Sequence, residues 1–92
     1  MKTGETLYRE RKRIEESILD NLDLLMGTIS TKGPSRPGFN LTCKVKQVTR
    51  TRHIRKELEP QIKQMTARWR RLRELLHQLG DLNWERLNRG QI

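Results

Sequence analysis

The clearest structural signal in the chain is residues 57–79, ELEPQIKQMTARWRRLRELLHQL. The apolar residues in this stretch recur at spacings of four and three, and they are Leu58, Ile62, Met65, Trp69, Leu72, Leu76 and Leu79. This heptad-type seam predicts a long helix over 57–79. Pro60 lies near the start, where a helix tolerates proline. Gly80 and Asp81 predict that the long helix ends there and that a short last helix follows over 82–88.

A seam of two positions per heptad is typical of a coiled coil rather than of a helix on a broad globular core. Upstream, a weaker version of the same periodicity predicts a first helix over 4–26 that ends at Gly27. Its apolar residues are Leu7, Ile14, Ile18, Leu22 and Leu25. Two arrangements satisfy both patterns: the two helices pack antiparallel within one chain, or the long helix pairs with its copy in a second chain. In both, the seam residues form the interface.

The residues between the two helices are predicted to form a loop and a β-hairpin. The loop covers 27–38, because two Gly/Pro pairs in this segment interrupt regular structure. Residues 39–45 alternate between apolar and polar with the period of a strand. Residues 48–54 are rich in threonine and valine, which suits the return strand. The hairpin therefore covers 39–54, with its turn near Lys46 and Gln47.

Length and composition limit the architecture. The chain has 92 residues, of which 33% are hydrophobic and 34% are charged. An ordinary globular chain is about 45–50% apolar when glycine is counted, and about 25% charged. We therefore predict a single small domain, 1–92, of the α+β class and mostly α. With so few apolar residues, it is expected to be elongated, oligomeric or stabilised by a partner.

The sequence contains no set of residues typical of an enzyme or of a metal site. Cys43 is the one cysteine, so the chain can form neither an internal disulfide nor a cysteine zinc site. His53 and His77 have no second ligand at a metal-binding spacing. Tyr8 lacks the partner residues that a nucleophilic tyrosine needs. We predict no catalytic residues, no metal and no cofactor, and we do not expect the chain to be an enzyme.

The net charge of +9 is concentrated in one part of the chain. Residues 24–56 hold eight lysines and arginines and no carboxylate, whereas the segments before and after them mix both signs. A positive segment without local compensation is typical of a surface that faces phosphates. The other interpretation is a flexible basic linker.

The predicted hairpin lies inside this basic segment. Arg50 and Arg52 are two residues apart and so project from one face of their strand, as Lys44 and Lys46 do from theirs. A two-stranded ribbon fits the major groove of a duplex, and arginine suits contacts to phosphate or guanine. The alternative is a solvated edge hairpin whose charges only discourage aggregation.

The predicted nucleic-acid-binding residues are the basic residues of the loop, of the hairpin and of its flank. They are Lys32, Arg36, Lys44, Lys46, Arg50, Arg52, Arg55 and Lys56. Four arginines on the long helix are a candidate extension of this surface: Arg68, Arg70, Arg71 and Arg73. An ordinary solvated helix surface is the alternative for these four.

Several short motifs carry a family resemblance. Residues 39–59 are FNLTCKVKQVTRTRHIRKELE and residues 68–87 are RWRRLRELLHQLGDLNWERL, preceded by Met26-Gly27-Thr28 and Gly33-Pro34. Together they resemble a family of short prokaryotic proteins of unknown function that are often found near transposases and other mobile elements. Such relatives carry several cysteines in the loop and aromatic residues after Gly-Pro, whereas residues 28–38 here have neither. The resemblance therefore implies a mobile-element setting and a nucleic-acid role, but no metal-stabilised loop.

The predicted function is a small, basic, nucleic-acid-binding accessory or regulatory protein. Its hairpin and loop would contact phosphates, while its helices would dimerise or dock onto a larger nucleoprotein complex. Two alternatives stay open: a helical interaction subunit or inhibitor that binds an acidic protein surface, and a ribonucleoprotein component whose loop folds on RNA. No apolar run approaches the ~18 residues of a membrane span, and no signal-peptide core is present. A cytoplasmic location without membrane contact is expected.

Overall fold

A computed structural model describes residues 3–31 and 38–92 of the chain. Its elements are helix α1 (Gly4–Asp20), strands β1 (Thr28–Thr31), β2 (Phe39–Val45) and β3 (Val48–Ile54), a short 3-10 helix (Lys56–Leu58) and helix α2 (Glu59–Asn88). The fold is α+β and mostly α, which confirms the predicted class. Lys32 and Arg36, two of the predicted binding residues, lie outside the described residues.

Helix α1 begins where the sequence predicts and ends earlier. Thr3 is its N-cap, and the side chain of Thr3 accepts a hydrogen bond from a backbone N–H of the first turn. The predicted range of 4–26 is wrong, because the helix ends at Asp20. The side-chain amide of Asn21 donates to the carbonyl of Ser17 at 2.7 Å. Asparagine competes in this way for backbone groups that would otherwise continue the helix.

Part of the predicted loop is a third strand. The prediction of a loop over 27–38 is wrong for residues 28–31, which form β1 and pair antiparallel with β2. Three of the four residues of β1 are β-branched, and such side chains suit a strand. The Gly/Pro pairs that suggested a loop all lie after β1. Residues 32–37, the rest of the predicted loop, lie outside the described residues.

The predicted hairpin is confirmed. β2 and β3 pair antiparallel along their whole length, and Lys46 and Gln47 form the turn between them. The φ angles of these two residues are 49° and 67°. Two successive positive φ angles give the hairpin turn whose twist matches that of the strands, although neither residue is the asparagine or glycine that this turn prefers. The strand order is β1-β2-β3, so β1 and β3 are the edges of the sheet.

Helix α2 is continuous where the sequence predicts two helices. The predicted break at Gly80, between helices over 57–79 and 82–88, is wrong, because α2 runs from Glu59 to Asn88. A glycine inside a helix costs only about 1 kcal/mol relative to alanine. Leu79 and Leu82 lie on either side of Gly80 and pack in the same core cluster, which offsets that cost.

The internal contacts divide the chain into two compact units. Unit 1 comprises Met1–Leu22 and Arg70–Ile92, and unit 2 comprises Asp23–Trp69. Helix α2 thus contributes its first part to unit 2 and its second part to unit 1. The single domain predicted from the length stays a prediction.

Unit 1 is a pair of antiparallel helical segments around a small aliphatic core. The side chain of Gln91 lies beside Gly4 at the start of α1, whereas Ile14 lines a cavity together with Leu82, so the two segments run in opposite directions. The core residues are Leu7 and Ile14 from α1 and Leu75 and Leu82 from α2, with Ile18 and Leu79 packed against them. This packing within one chain is one of the two arrangements that the sequence left open.

One residue of the predicted seam is exposed, and the buried face of α2 includes Thr66, Leu75 and Leu82, which the seam lacks. The predicted seam contains Leu76, but Leu76 is 48% exposed and its neighbour Leu75 is only 2% exposed. The other seam residues are buried or half-buried: Leu58, Ile62, Met65, Trp69, Leu72 and Leu79. The two parts of α2 pack against different elements in two units, so a single straight seam does not have to serve both.

Unit 2 contains the three-stranded sheet and the first part of α2. Leu41 and Ile54 of the sheet are buried, and so is Thr66 of the helix. The Lys63 ammonium nitrogen lies 5.9 Å from the centre of the Phe39 ring. Sheet and helix are therefore in contact within this unit, and the side of the sheet that carries Leu41 and Ile54 is its inner side.

Candidate nucleic-acid interface

The register of the sheet gives it two chemically different faces. Residues directly opposite each other in an antiparallel ladder project to the same side. The face that we call the apolar face carries Ile29, Phe39, Leu41, Cys43, Val45, Val48 and Ile54, together with Thr31 at the end of β1. The polar face carries Thr28, Ser30, Asn40, Thr42, Lys44, Thr49, Thr51 and His53. The basic residues of the hairpin can therefore be assigned to one face or the other.

Arg50 and Arg52 lie on the apolar face. Arg50 is opposite Cys43, and Arg52 is opposite Leu41. Both arginines are exposed, since they stand on the edge strand β3. The two guanidinium groups thus extend from the same side of the sheet that buries Leu41.

The two lysines of the hairpin lie elsewhere. Lys44 is on the polar face, opposite Thr49, and Lys46 is in the turn. The prediction that Lys44 and Lys46 project together from one strand face is wrong, because the strand ends at Val45 and Lys46 adopts a positive φ. The hairpin therefore presents positive charge on both faces and at its tip, rather than in one row.

Six predicted binding residues lie in the described part of the chain, and we call them the sheet cations. They are Lys44, Lys46, Arg50, Arg52, Arg55 and Lys56, and all six are exposed. None of them forms an ion pair with a carboxylate of the described residues. In contrast, the helices pair basic side chains with carboxylates one turn away, as in Arg9–Glu5 at 2.7 Å. Within the described part of the chain, the sheet cations are thus solvated charges without a counterion.

The four helix arginines differ from the sheet cations. The guanidinium of Arg68 donates to the backbone carbonyl of Asp23 at 3.1 Å, within unit 2. In unit 1, Arg71 forms an ion pair with Glu74 at 3.1 Å. Arg73 also interacts within the described chain, so at least three of the four already have a partner. That the four arginines, Arg68, Arg70, Arg71 and Arg73, extend the binding surface stays a prediction.

A groove lies beside Arg50 and Arg52 on the apolar face, within unit 2. Its volume is about 340 Å³. Apart from the two arginines, it is lined by aliphatic and sulfur-containing side chains: Leu24, Leu25, Met26, Leu41, Cys43 and Val45. The groove therefore combines an apolar lining with two guanidinium groups that have no carboxylate partner among the described residues.

Residues 24–26 form one wall of this groove, whereas the periodicity of the sequence predicts that they continue α1. The backbone N–H of Leu25 donates to the carbonyl of Met65 at 3.1 Å, which attaches the wall to α2. Gly27 follows with a φ of 134°, and a Cβ at this position would lie 2.7 Å from the Thr42 carbonyl oxygen. The signal in the sequence is Gly27 followed by a four-residue segment with three β-branched residues, which favours a strand after a turn rather than a continued helix.

Within residues 3–31 and 38–92, no three His, Cys, Asp or Glu side chains lie close enough together to hold a metal ion. Neither helix of that same part of the chain combines the length and the apolar character that crossing a membrane requires.

No protein-family model, curated protein or solved structure matches the chain. The interface is therefore interpreted from the charge, exposure and geometry of its own residues.

Proposed function

We propose that the protein binds nucleic acid through the sheet cations. The observation that carries this proposal is that six exposed basic residues on one sheet and its flank have no carboxylate partner in the described chain, whereas several helical cations, such as Arg9 and Arg71, do. Cations without an internal partner can replace the counterions of a phosphate backbone, and the release of those counterions favours binding. In this proposal the chain acts as an accessory or regulatory protein. Its mobile-element setting stays a prediction.

The arrangement of the sheet cations suits a phosphate chain that follows the edge of the sheet. Arg50 and Arg52 are two residues apart on β3, so their Cα atoms are separated by about 6.6 Å. This distance is comparable to the separation of successive phosphates in an extended strand. Arg55 and Lys56 continue the positive charge past the end of β3. Arginine can also donate two parallel hydrogen bonds to one phosphate.

The proposal predicts that the affinity for nucleic acid falls steeply with salt concentration and that the sheet cations cause this fall. Binding of a mixed-sequence oligonucleotide, as single strand and as duplex, is measured by fluorescence anisotropy over a series of salt concentrations. The double variant Arg50→Gln/Arg52→Gln loses two phosphate contacts. The slope of log K against log salt should therefore become shallower by about 1.4 for a single strand and about 1.8 for a duplex. DNA and RNA probes are compared in parallel.

A matched control removes the same charge from the helices. The double variant Arg9→Gln/Arg11→Gln also lowers the net charge by two, but it removes arginines that lie outside the predicted binding surface and are already paired with Glu5 and Glu15. Its slope should stay within error of the unmodified protein. If both double variants change the slope equally, net charge alone drives binding and the sheet is not the site. A slope near zero for the unmodified protein contradicts the proposal altogether.

A second candidate function, self-association, is favoured by exposed apolar residues on α2. Leu76, Trp84 and Leu87 are 48%, 67% and 54% exposed, and their spacing places them on one side of the helix with Gly80 between them. Glycine lets a second helix approach closely. Sedimentation equilibrium should then give twice the monomer mass of 11.0 kDa, and Trp84→Gln/Leu87→Gln should restore the monomer. A monomer at all concentrations contradicts this candidate.

A further inference from the structure

The groove on the apolar face suits a ligand with a flat apolar part and an adjacent anion. We propose that it receives an unpaired base of a single-stranded nucleic acid whose phosphates lie on Arg50 and Arg52. This inference rests on the proposed function and deepens it. It states that the protein prefers single-stranded over duplex nucleic acid, and it identifies the place where a base is held.

The lining of the groove is matched to a base rather than to a phosphate alone. Six of its eight lining residues are apolar or sulfur-containing, and Leu41 and Cys43 lie directly across the ladder from the two arginines. A volume of about 340 Å³ is at the low end of ligand pockets, which span about 300–1,000 Å³. One base with its sugar is a ligand of that scale.

The arginines fit both parts of such a ligand. A guanidinium group is planar, stacks on the face of a base and donates hydrogen bonds to phosphate oxygens. Arg50 and Arg52 are exposed and have no described carboxylate to compete for them. The anionic backbone would therefore run along the β3 edge while a base turns inward over Cys43.

A duplex cannot make the same contact. Its base faces are stacked on their neighbours, and only the base edges are accessible in its grooves. The groove also offers no hydrogen-bonding side chain except the two arginines, since its other lining residues are Leu24, Leu25, Met26, Leu41, Cys43 and Val45. Recognition by stacking and charge tolerates many sequences. We therefore expect single strands to be preferred over duplexes, with little dependence on sequence.

Cys43 gives a direct readout, because it is the only cysteine of the chain and lies half-buried in the groove. Its alkylation by iodoacetamide is measured with saturating single-stranded oligonucleotide, with an oligonucleotide of equal length that carries abasic sites, and with duplex. The single strand should slow alkylation by about tenfold or more. The abasic strand and the duplex should leave the rate within about twofold of the free protein. Equal protection by the normal and the abasic strand would overturn the inference.

Affinities provide the second measurement. Stacking of one base contributes enough that the normal strand should bind about tenfold more tightly than the abasic strand. Cys43→Ile fills the groove with an aliphatic side chain, which offers no ring for a base to stack on, and should remove this difference, whereas Cys43→Ser should retain it. Val45→Leu narrows the same groove from a more exposed position and replaces Cys43→Ile if that variant does not fold. A tenfold difference that survives in a folded, groove-filled variant contradicts the inference.

The two proposals fail in different ways. If only the base site is wrong, all three probes bind with similar affinity, and Arg50→Gln/Arg52→Gln still changes the salt slope. If nucleic-acid binding itself is wrong, none of the probes binds, and Cys43 alkylates at the same rate in all samples.

Discussion

Leu75→Ala is expected to lower the free energy of unfolding by about 3 kcal/mol, whereas Leu76→Ala should lower it by less than about 1 kcal/mol. The two leucines are adjacent in α2, but Leu75 is 2% exposed and Leu76 is 48% exposed. Leu75 packs in the core cluster with Leu7 and Ile14. Truncating it removes buried methyl groups and leaves a cavity, while truncating Leu76 mainly removes solvated surface.

The measurement is urea unfolding followed by far-ultraviolet circular dichroism. A chain of this length is stabilised by only about 5–14 kcal/mol in total, so the loss expected for Leu75→Ala is a large fraction of its stability. Leu76→Ala is the matched control, because it makes the same chemical change one residue away on the same helix. Equal losses for the two variants would show that Leu76 is buried, as the heptad spacing predicts.

The contrast between these two leucines illustrates what periodicity can and cannot predict. Spacings of three and four identify the long helix, and six of the seven seam residues that they predict are buried or half-buried. After Leu72, however, Leu75 and Leu76 fit a helical spacing equally well. The choice between them is made by packing against α1 in unit 1, which the sequence of α2 does not contain.

Helix ends show a similar limit. Gly27 and Gly80 are both strong terminators by local chemistry, yet neither ends a helix in the structure. Helix α1 ends at Asp20, before Gly27, and Asn21 bonds back to its last turn. At Gly80 the leucines on both sides hold α2 continuous. The residue type determines how unfavourable a helical conformation is at one position, whereas tertiary packing determines whether the helix nevertheless continues through it.

The positive charge of the candidate site could be predicted from the sequence, but the shape of the site could not. The absence of carboxylates from residues 24–56 identifies the basic segment from the sequence alone. The groove could not be predicted in this way, because one of its walls, Leu24–Met26, continues the periodicity of α1 and was assigned to that helix. Because this wall lies against the sheet, Arg50 and Arg52 stand beside an apolar groove. The sequence alone predicts a hairpin with both arginines surrounded by solvent.

Gly27→Ala is expected to destabilise the protein by about 2–4 kcal/mol, whereas the same change at Gly80 should stabilise it by about 0.5–1 kcal/mol. Gly27 has a φ of 134°, which residues with a side chain rarely adopt, and its added Cβ would lie 2.7 Å from a backbone oxygen of β2. Gly80 lies inside α2, and an added Cβ meets nothing within 4 Å. The same glycine-to-alanine substitution is therefore expected to lower the free energy of unfolding at position 27 and to raise it at position 80.

Thermal and urea unfolding of the two single variants and of the double variant test this expectation. The positions lie in different units, so their effects should add within about 0.5 kcal/mol. Because Gly27 brings the Leu24–Met26 wall onto the sheet, the folded fraction of Gly27→Ala should also alkylate faster at Cys43 than the unmodified protein, and Gly80→Ala should not. A Gly27→Ala variant with unchanged stability and unchanged alkylation would show that this wall does not depend on the close approach at Gly27.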